Sequence, residues 1–228
     1  MEKKLPCKEI IGWDTVNWAK ALKLWEAELG KNTAKKTALE IGCREGGLSL
    51  WLAQKGISVV CSDVLSPEAT VSPLHKKYNF KDNIVYNTVD ATDIPYKDYF
   101  DVVVFKSVLG AVGRSNRKDL QIKAIQQMHK CLKDGGKLLF AENLVASPFH
   151  AYLRKKYLSW GRTWRYVSIE EMEEFLKIFK SVKIFTWGFL GAFGRNEFQR
   201  NVLGSIDSFL DILVPERWRY IIFGVAIK

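Results

Sequence analysis

The residues best placed to do chemistry are charged side chains that each sit in, or directly follow, an apolar run. Glu40 lies inside Thr37–Ile41 (TALEI), a short run between lysines and Gly42. Asp63 follows ISVVCS, 23 residues further on. Lys106 and Ser107 follow the run from Phe100 to Phe105, and Glu142 and Asn143 follow the run from Lys137 to Ala141. A carboxylate at the carboxyl end of a second strand accepts paired hydrogen bonds from ribose hydroxyls. Groups at the end of a central strand beside the first one face the switch point, where α/β sheets take their ligands. His150 follows the last of these runs and can carry a proton near neutral pH. His75 and His129 fall in segments that read as helices; His75 is expected to face solvent and His129 to be structural.

These side chains need strands that deliver them to one edge, and the patterning supplies such strands. Thr37–Ile41 reads as a strand buried on both faces, Gly42 to Gly47 as a glycine-rich turn, and LSLWLAQ as a helix ended by Gly56. Unpaired N–H groups at that helix start make the turn receptive to anions and dipoles. A nicotinamide fingerprint fails because Arg44 stands at the second glycine position, and no G-K-[ST] follows to make a Walker loop. Further strands are expected at 84–88, 100–105, 137–141, 181–187 and 218–227. Helices are expected at 11–29, 67–79, 117–133, 169–179 and around 202–213. In the first helix Asp14 is the expected N-cap, with Trp18, Leu22, Trp25 and Leu29 along one buried face. In the last, Val202, Ile206, Phe209, Leu210 and Leu213 share the face expected to pack inward.

A length of 228 residues suits one domain with a full core, and 47 % hydrophobic residues argue against disorder. No run reaches the ~18–20 apolar residues of a membrane span. The start MEKKLPCKEI has no signal-peptide core, and the four scattered cysteines read as reduced thiols, so a cytoplasmic protein is expected. No His/Cys cluster has metal-ligand spacing, and no metal is expected. A net charge of +10 favours anionic company: a phosphorylated substrate, an acidic lipid surface or a nucleic acid. From Asn143 to Ile169 there is no acidic residue, while Arg154, Lys155, Lys156, Arg162 and Arg165 alternate with Tyr152, Tyr157, Trp160, Trp164 and Tyr166. This segment could grip phosphate, stack on sugar or base rings, or lie on anionic lipid.

The pattern Glu40-x-Gly42-x-x-x-Gly46 resembles motif I of the class I S-adenosylmethionine-dependent methyltransferases (type 11-like), written E/D-x-G-x-G-x-G. Arg44 departs from it at the middle glycine. HKCLKDGGKLLF resembles the R-x-L-K-P-G-G segment before their fifth strand, and the likeness runs over residues 35–228. It implies an α/β Rossmann-like fold: a seven-stranded, mostly parallel sheet with helices on both faces and an antiparallel last strand. Residues 1–34 would form a helical cover, 35–143 the cofactor core, 144–215 a substrate-side insertion with cover helices, and 216–228 the final strand. The resemblance implies S-adenosylmethionine as cofactor and S-adenosylhomocysteine as product. It assigns Glu40, Gly42, Cys43, Arg44 and Gly46 to the cofactor cradle, Asp63 and Val64 to the ribose, Asp90 and Ala91 to the adenine, and Lys106 and Ser107 to the methyl group. In relatives the N-terminal helix can also close over the cofactor, through residues such as Asn17 or Trp18.

No [DN]-P-P-[YF] tetrapeptide follows the fourth strand, so hydroxyl methylation is the better default than planar-amine chemistry. FKSVLGAVGR, LLFAENL and VPERWRYIIFGVA look similar to methyltransferases of bacterial surface-polysaccharide clusters, implying a sugar hydroxyl on a nucleotide- or lipid-linked saccharide as acceptor. His150, Glu142 and Lys106 are the candidate general bases, His150 favoured for its ordinary pKa. The competing readings are an RNA methyltransferase, though no RRM or KH signature appears, and a non-catalytic methyltransferase-like scaffold.

Overall fold

A computed structural model describes residues 5–157, 163–210 and 212–228. Two helices, α1 (Cys7–Ile11) and α2 (Thr15–Leu29), precede β1 (Thr37–Ile41) and α3 (Gly47–Gln54). β2 (Ser58–Asp63), α4 (Glu68–Lys77), β3 (Ile84–Thr88) and β4 (Phe100–Lys106) follow, then a short α5 (Leu109–Val112) and α6 (Lys118–Cys131). The last third contains β5 (Leu132–Asn143), α7 (Pro148–Tyr157), α8 (Ile169–Leu176), β6 (Ser181–Trp187), α9 (Glu197–Leu210) and β7 (Ile221–Ile227). The seven strands lie in the order β3-β2-β1-β4-β5-β7-β6, with β7 antiparallel to both neighbours and the β3-to-β5 ladders parallel.

Each central strand divides its side chains between two apolar layers, as the period of two requires. Val102, Val104, Leu139 and Ala141 join Trp18, Trp25 and Trp51 on one face. Val103, Phe105, Leu138 and Phe140 join Met128, Met172 and Phe175 on the other. Both faces being covered, every polar group that must meet a ligand is pushed to the strand ends. Trp25 also donates its indole N–H to the Gly224 carbonyl at 3.0 Å, tying α2 to the last strand.

Several expectations need correction. The helix expected over 11–29 is broken at Gly12 (φ +84°) and Asp14 (φ +49°), so it starts at Thr15. Asp14 does not cap it; Glu197 does, accepting from the Asp14 and Thr15 amides at 3.0 Å each. His75 does not face solvent: it is fully buried, hydrogen-bonded to the Gly46 carbonyl at 2.8 Å and stacked on Tyr86. The apolar face of α9 does not pack inward, since Phe209 is 83 % exposed. Trp160 and Arg162 lie outside the described residues.

Candidate active site

The turn after β1 is shaped by close approaches. A Cβ on Gly42 (φ +67°) would lie 2.7 Å from a Val108 methyl, and one on Gly46 (φ +75°) 2.7 Å from the His75 ring. Between them Arg44 takes a left-handed conformation at φ +49°, which an L-residue adopts at a cost of roughly 1 kcal/mol. The backbone path that a middle glycine would allow is therefore kept despite the side chain. The Arg44 amide donates to Asp63 Oδ2 at 3.1 Å, joining the turn to the end of β2. Glu40 is buried beneath this turn and accepts from the Ser49 amide at 2.8 Å and from its hydroxyl, which clamps β1 to the first turn of α3. Burial pushes its carboxyl up to about 7, against those hydrogen bonds.

A cavity of about 980 Å³ opens above the carboxyl ends of β1 and β4. Of the residues singled out by sequence, Glu40, Gly42, Cys43, Arg44, Lys106, Ser107 and His150 line it; Gly46, Asp63, Val64, Asp90, Ala91 and Glu142 do not. Asp63 and Asp90 nevertheless sit together on the adjoining strand ends. Asp63 pairs with Thr88 in the β2–β3 ladder, and its carbonyl accepts from Val89 at 2.9 Å, one residue before Asp90. Each Asp63 oxygen takes one backbone amide, from Arg44 and from Val64, and keeps a lone pair for another donor. The Asp90 carboxylate is exposed and takes the Thr92 amide and hydroxyl on one oxygen.

At the switch point the Lys106 amine lies over two indole rings, 4.1 Å from the Trp13 centroid and 4.3 Å from that of Trp18. Burial pushes its pKa from 10.5 down to about 7, with the Arg44 charge acting in the same direction. Asp14, on the same cavity wall, moves the opposite way: burial pushes its carboxyl up to about 7. Its carboxylate accepts from the Tyr220 hydroxyl and from Asn17, 3.4 Å away. Beside them the Asn143 side chain donates through Nδ2 to Ser107 Oγ at 2.7 Å, and both residues face the cavity. Asp14 and Tyr220 were missed by sequence because they meet only when β7 closes the sheet. Asn17 and Trp18 are themselves buried behind the wall, and Glu9 to Asp14 form the cover instead.

His150 does not have a free ring nitrogen. Its Nε2–H donates to the Phe189 carbonyl at 2.9 Å, and Nδ1 is 2.7 Å from the Ser147 hydroxyl, which donates to it in that tautomer. The ring stacks on Phe193, and burial lowers its pKa to about 4. Glu142 is fully buried, accepting from the Val108, Leu109 and Asn143 amides at 2.7, 2.6 and 2.8 Å; it holds the loop after β4. Arg154 points inward, donating to the Leu144 carbonyl at 2.6 Å and stacking on Tyr166, so it anchors α7. Arg154 also lines the cavity, together with Tyr157 and Trp164 of the same segment and with Arg114, Arg195 and Arg200. Among the described residues no cluster of three His, Cys, Asp or Glu side chains could hold a metal ion.

The sequence matches the methyltransferase domain family over residues 17–184. No curated protein matches it significantly. Its fold is similar to that of phosphoethanolamine N-methyltransferase 2 from Haemonchus contortus, solved with phosphomonomethylethanolamine and S-adenosylhomocysteine, at 18 % identity and a TM-score of 0.63. That match covers 92 % of this chain and 52 % of the other, so the chain spans about half the length of the worm enzyme. A S-adenosylmethionine-dependent methyltransferase from Thermotoga maritima matches at 15 % identity and TM-score 0.60, over 94 % of this chain and 91 % of its own. The [4+2]-cyclase SpnF matches at 17 % and 0.59, over 89 % and 78 %, so the same architecture also carries other chemistry. The chain belongs to the methyltransferase domain family, and its sheet is that of the class I S-adenosylmethionine-dependent members.

Proposed function

We propose that the protein is an S-adenosylmethionine-dependent methyltransferase acting on a hydroxyl of a small anionic acceptor, such as a sugar hydroxyl on a nucleotide- or lipid-linked saccharide. The observation that carries this reading is Lys106: a lysine at the switch point, on the cavity wall, with its pKa near 7. An alcohol loses its proton as it attacks, and a base poised near the working pH serves that step best. When bound, the cofactor supplies a methyl group already activated by its sulfonium. The residues present fit it: the glycine turn admits its approach, and Asp63 has lone pairs for ribose hydroxyls. The neutral Lys106 amine would take the proton of the acceptor hydroxyl, leaving that oxygen free to receive the methyl group. A neighbouring sulfonium charge would favour that neutral amine further.

Acceptor class is read from the rest of the wall. Arg114, Arg195 and Arg200 offer donors for phosphate or carboxylate, and Trp13 and Trp164 offer rings for a sugar face. The test is methyl transfer from labelled cofactor to nucleotide sugars, with bulk RNA as a separate arm. Label should enter a nucleotide sugar, with a rate that rises through pH 7. Lys106→Met should lose about 10²–10⁴-fold together with that pH limb. Transfer to RNA alone overturns the acceptor class; an unchanged Lys106→Met profile removes Lys106 from the proton step.

A further inference from the structure

Helix α9 is polar inside and apolar outside. Phe198, Val202, Ile206 and Phe209 recur at i, i+4, i+8 and i+11, a single stripe along the helix. Every one is exposed, and Ile212 and Leu213 extend the apolar surface beyond the helix end at 94 % and 77 % exposure. The acidic residues point the other way. Glu197 takes the Asp14 and Thr15 amides; Asp207 takes the Leu190 and Gly191 amides at 2.7 and 2.9 Å and the Asn17 side chain at 3.0 Å. Gly204 lets the helix lie on α2, where a Cβ would come within 3.1 Å of Val16 and Asn17. Rolling the helix to bury its stripe would strip four backbone amides of their acceptors, so the outward orientation is fixed by the sequence. An exposed apolar stripe held by such bonds marks a contact surface.

Charge identifies the occupant. A second copy would bring one +10 chain against another, whereas an anionic surface attracts it. The stripe adjoins more of the same character. Exposed Phe149 on α7 lies 5.4 Å from Phe193, in the turn just before α9, and Tyr152, Lys155 and Lys156 follow it on exposed positions of α7. Phe193 and Arg195 both line the cavity, so this apolar and basic border runs along the cavity's rim. We infer that α9 lies in the interfacial plane of an anionic phospholipid bilayer, with the cations of α7 on the headgroups and the cavity rim against the lipid surface. The inference goes beyond methyl transfer and rests on the α9 stripe together with the basic, aromatic start of α7; anionic lipid was one of three partners the sequence left open for that basic segment, and α9 supplies the apolar half.

The test is flotation with vesicles of phosphatidylcholine containing about one-third phosphatidylglycerol, compared with pure phosphatidylcholine. The wild-type chain should float with the anionic vesicles, less at high salt and less with the neutral ones. Phe198→Ser/Phe209→Ser changes only exposed side chains and should weaken flotation about tenfold or more, with cofactor affinity unchanged. Lys155→Glu/Lys156→Glu is the second variant and should weaken binding to the anionic vesicles alone. Absence of flotation by the wild type overturns the inference. So does a dimer in sedimentation equilibrium that the double Phe variant converts to monomer, which would assign the stripe to a second copy.

Discussion

Lys106→Met should make the protein more stable while disabling it. Above about pH 7 the folded chain holds Lys106 neutral, whereas the unfolded chain keeps it protonated up to about 10.5. The folded pKa is depressed, so the cost is complete below about 7 and fades as pH rises to 10.5. Over that interval the unfolded state binds one more proton, and stability gains up to ~1.4 kcal/mol per pH unit from this group. At neutral pH the cost integrates to roughly 4 kcal/mol. The amine keeps a window onto the cavity, where water tempers the penalty, so about half of that is expected back from the methionine. Met preserves most of the stem's packing under Trp13 and Trp18. Asp14, raised to about 7, is already ionised throughout pH 8–10 and adds no slope there. Urea unfolding of both proteins at pH 8, 9 and 10 reads the effect. Lys106→Met should be about 2 kcal/mol more stable at pH 8, and the difference should shrink toward pH 10. A variant that is less stable, with the same pH slope as wild type, would refute the argument that this lysine is held neutral.

Other expectations follow from buried partners. His150→Gln should leave the shape of the pH–rate profile unchanged and cost about 1–2 kcal/mol in unfolding, because its ring nitrogens serve Ser147 and Phe189; a lost acidic limb would return it to the mechanism. Glu142→Gln turns an amide NH₂ toward backbone N–H groups on one side or the other, since both carboxylate oxygens accept. Urea unfolding should show a loss of about 2–3 kcal/mol. Gly46→Ala combines φ +75° with a Cβ 2.7 Å from His75, so calorimetry should show weakened cofactor binding as well as a lower Tm.

The central parallel strands were legible because they are buried on both faces: Thr37–Ile41 reads as an uninterrupted run and folds with those same ends. Residues 84–88 also fold with the expected ends, although they form an edge strand in which only Ile84 is buried. The edge strand 181–187 was placed as well. The glycine turn was legible for a similar reason, since its spacing reflects close approaches of backbone to Val108 and His75. Periodicity finds the stripe on α9 but cannot tell which side faces the protein. That choice was made by Glu197 and Asp207, whose partners are backbone amides of other segments. Asp14 looked like a helix cap, and only the closing strand brings Tyr220 to it, 206 residues away. His150 looked like a base from its pKa in water; burial and two hydrogen bonds made it a strut.

The central claim, that this turn and the β2 end hold S-adenosylmethionine, is tested most directly by calorimetric titration with S-adenosylhomocysteine, for wild type and Asp63→Ala. Wild type should bind one equivalent, and Asp63→Ala should lose about 1.5–3 kcal/mol, a factor of roughly 10–150 in Kd. No binding by the wild type, or equal affinity in Asp63→Ala, would contradict the account.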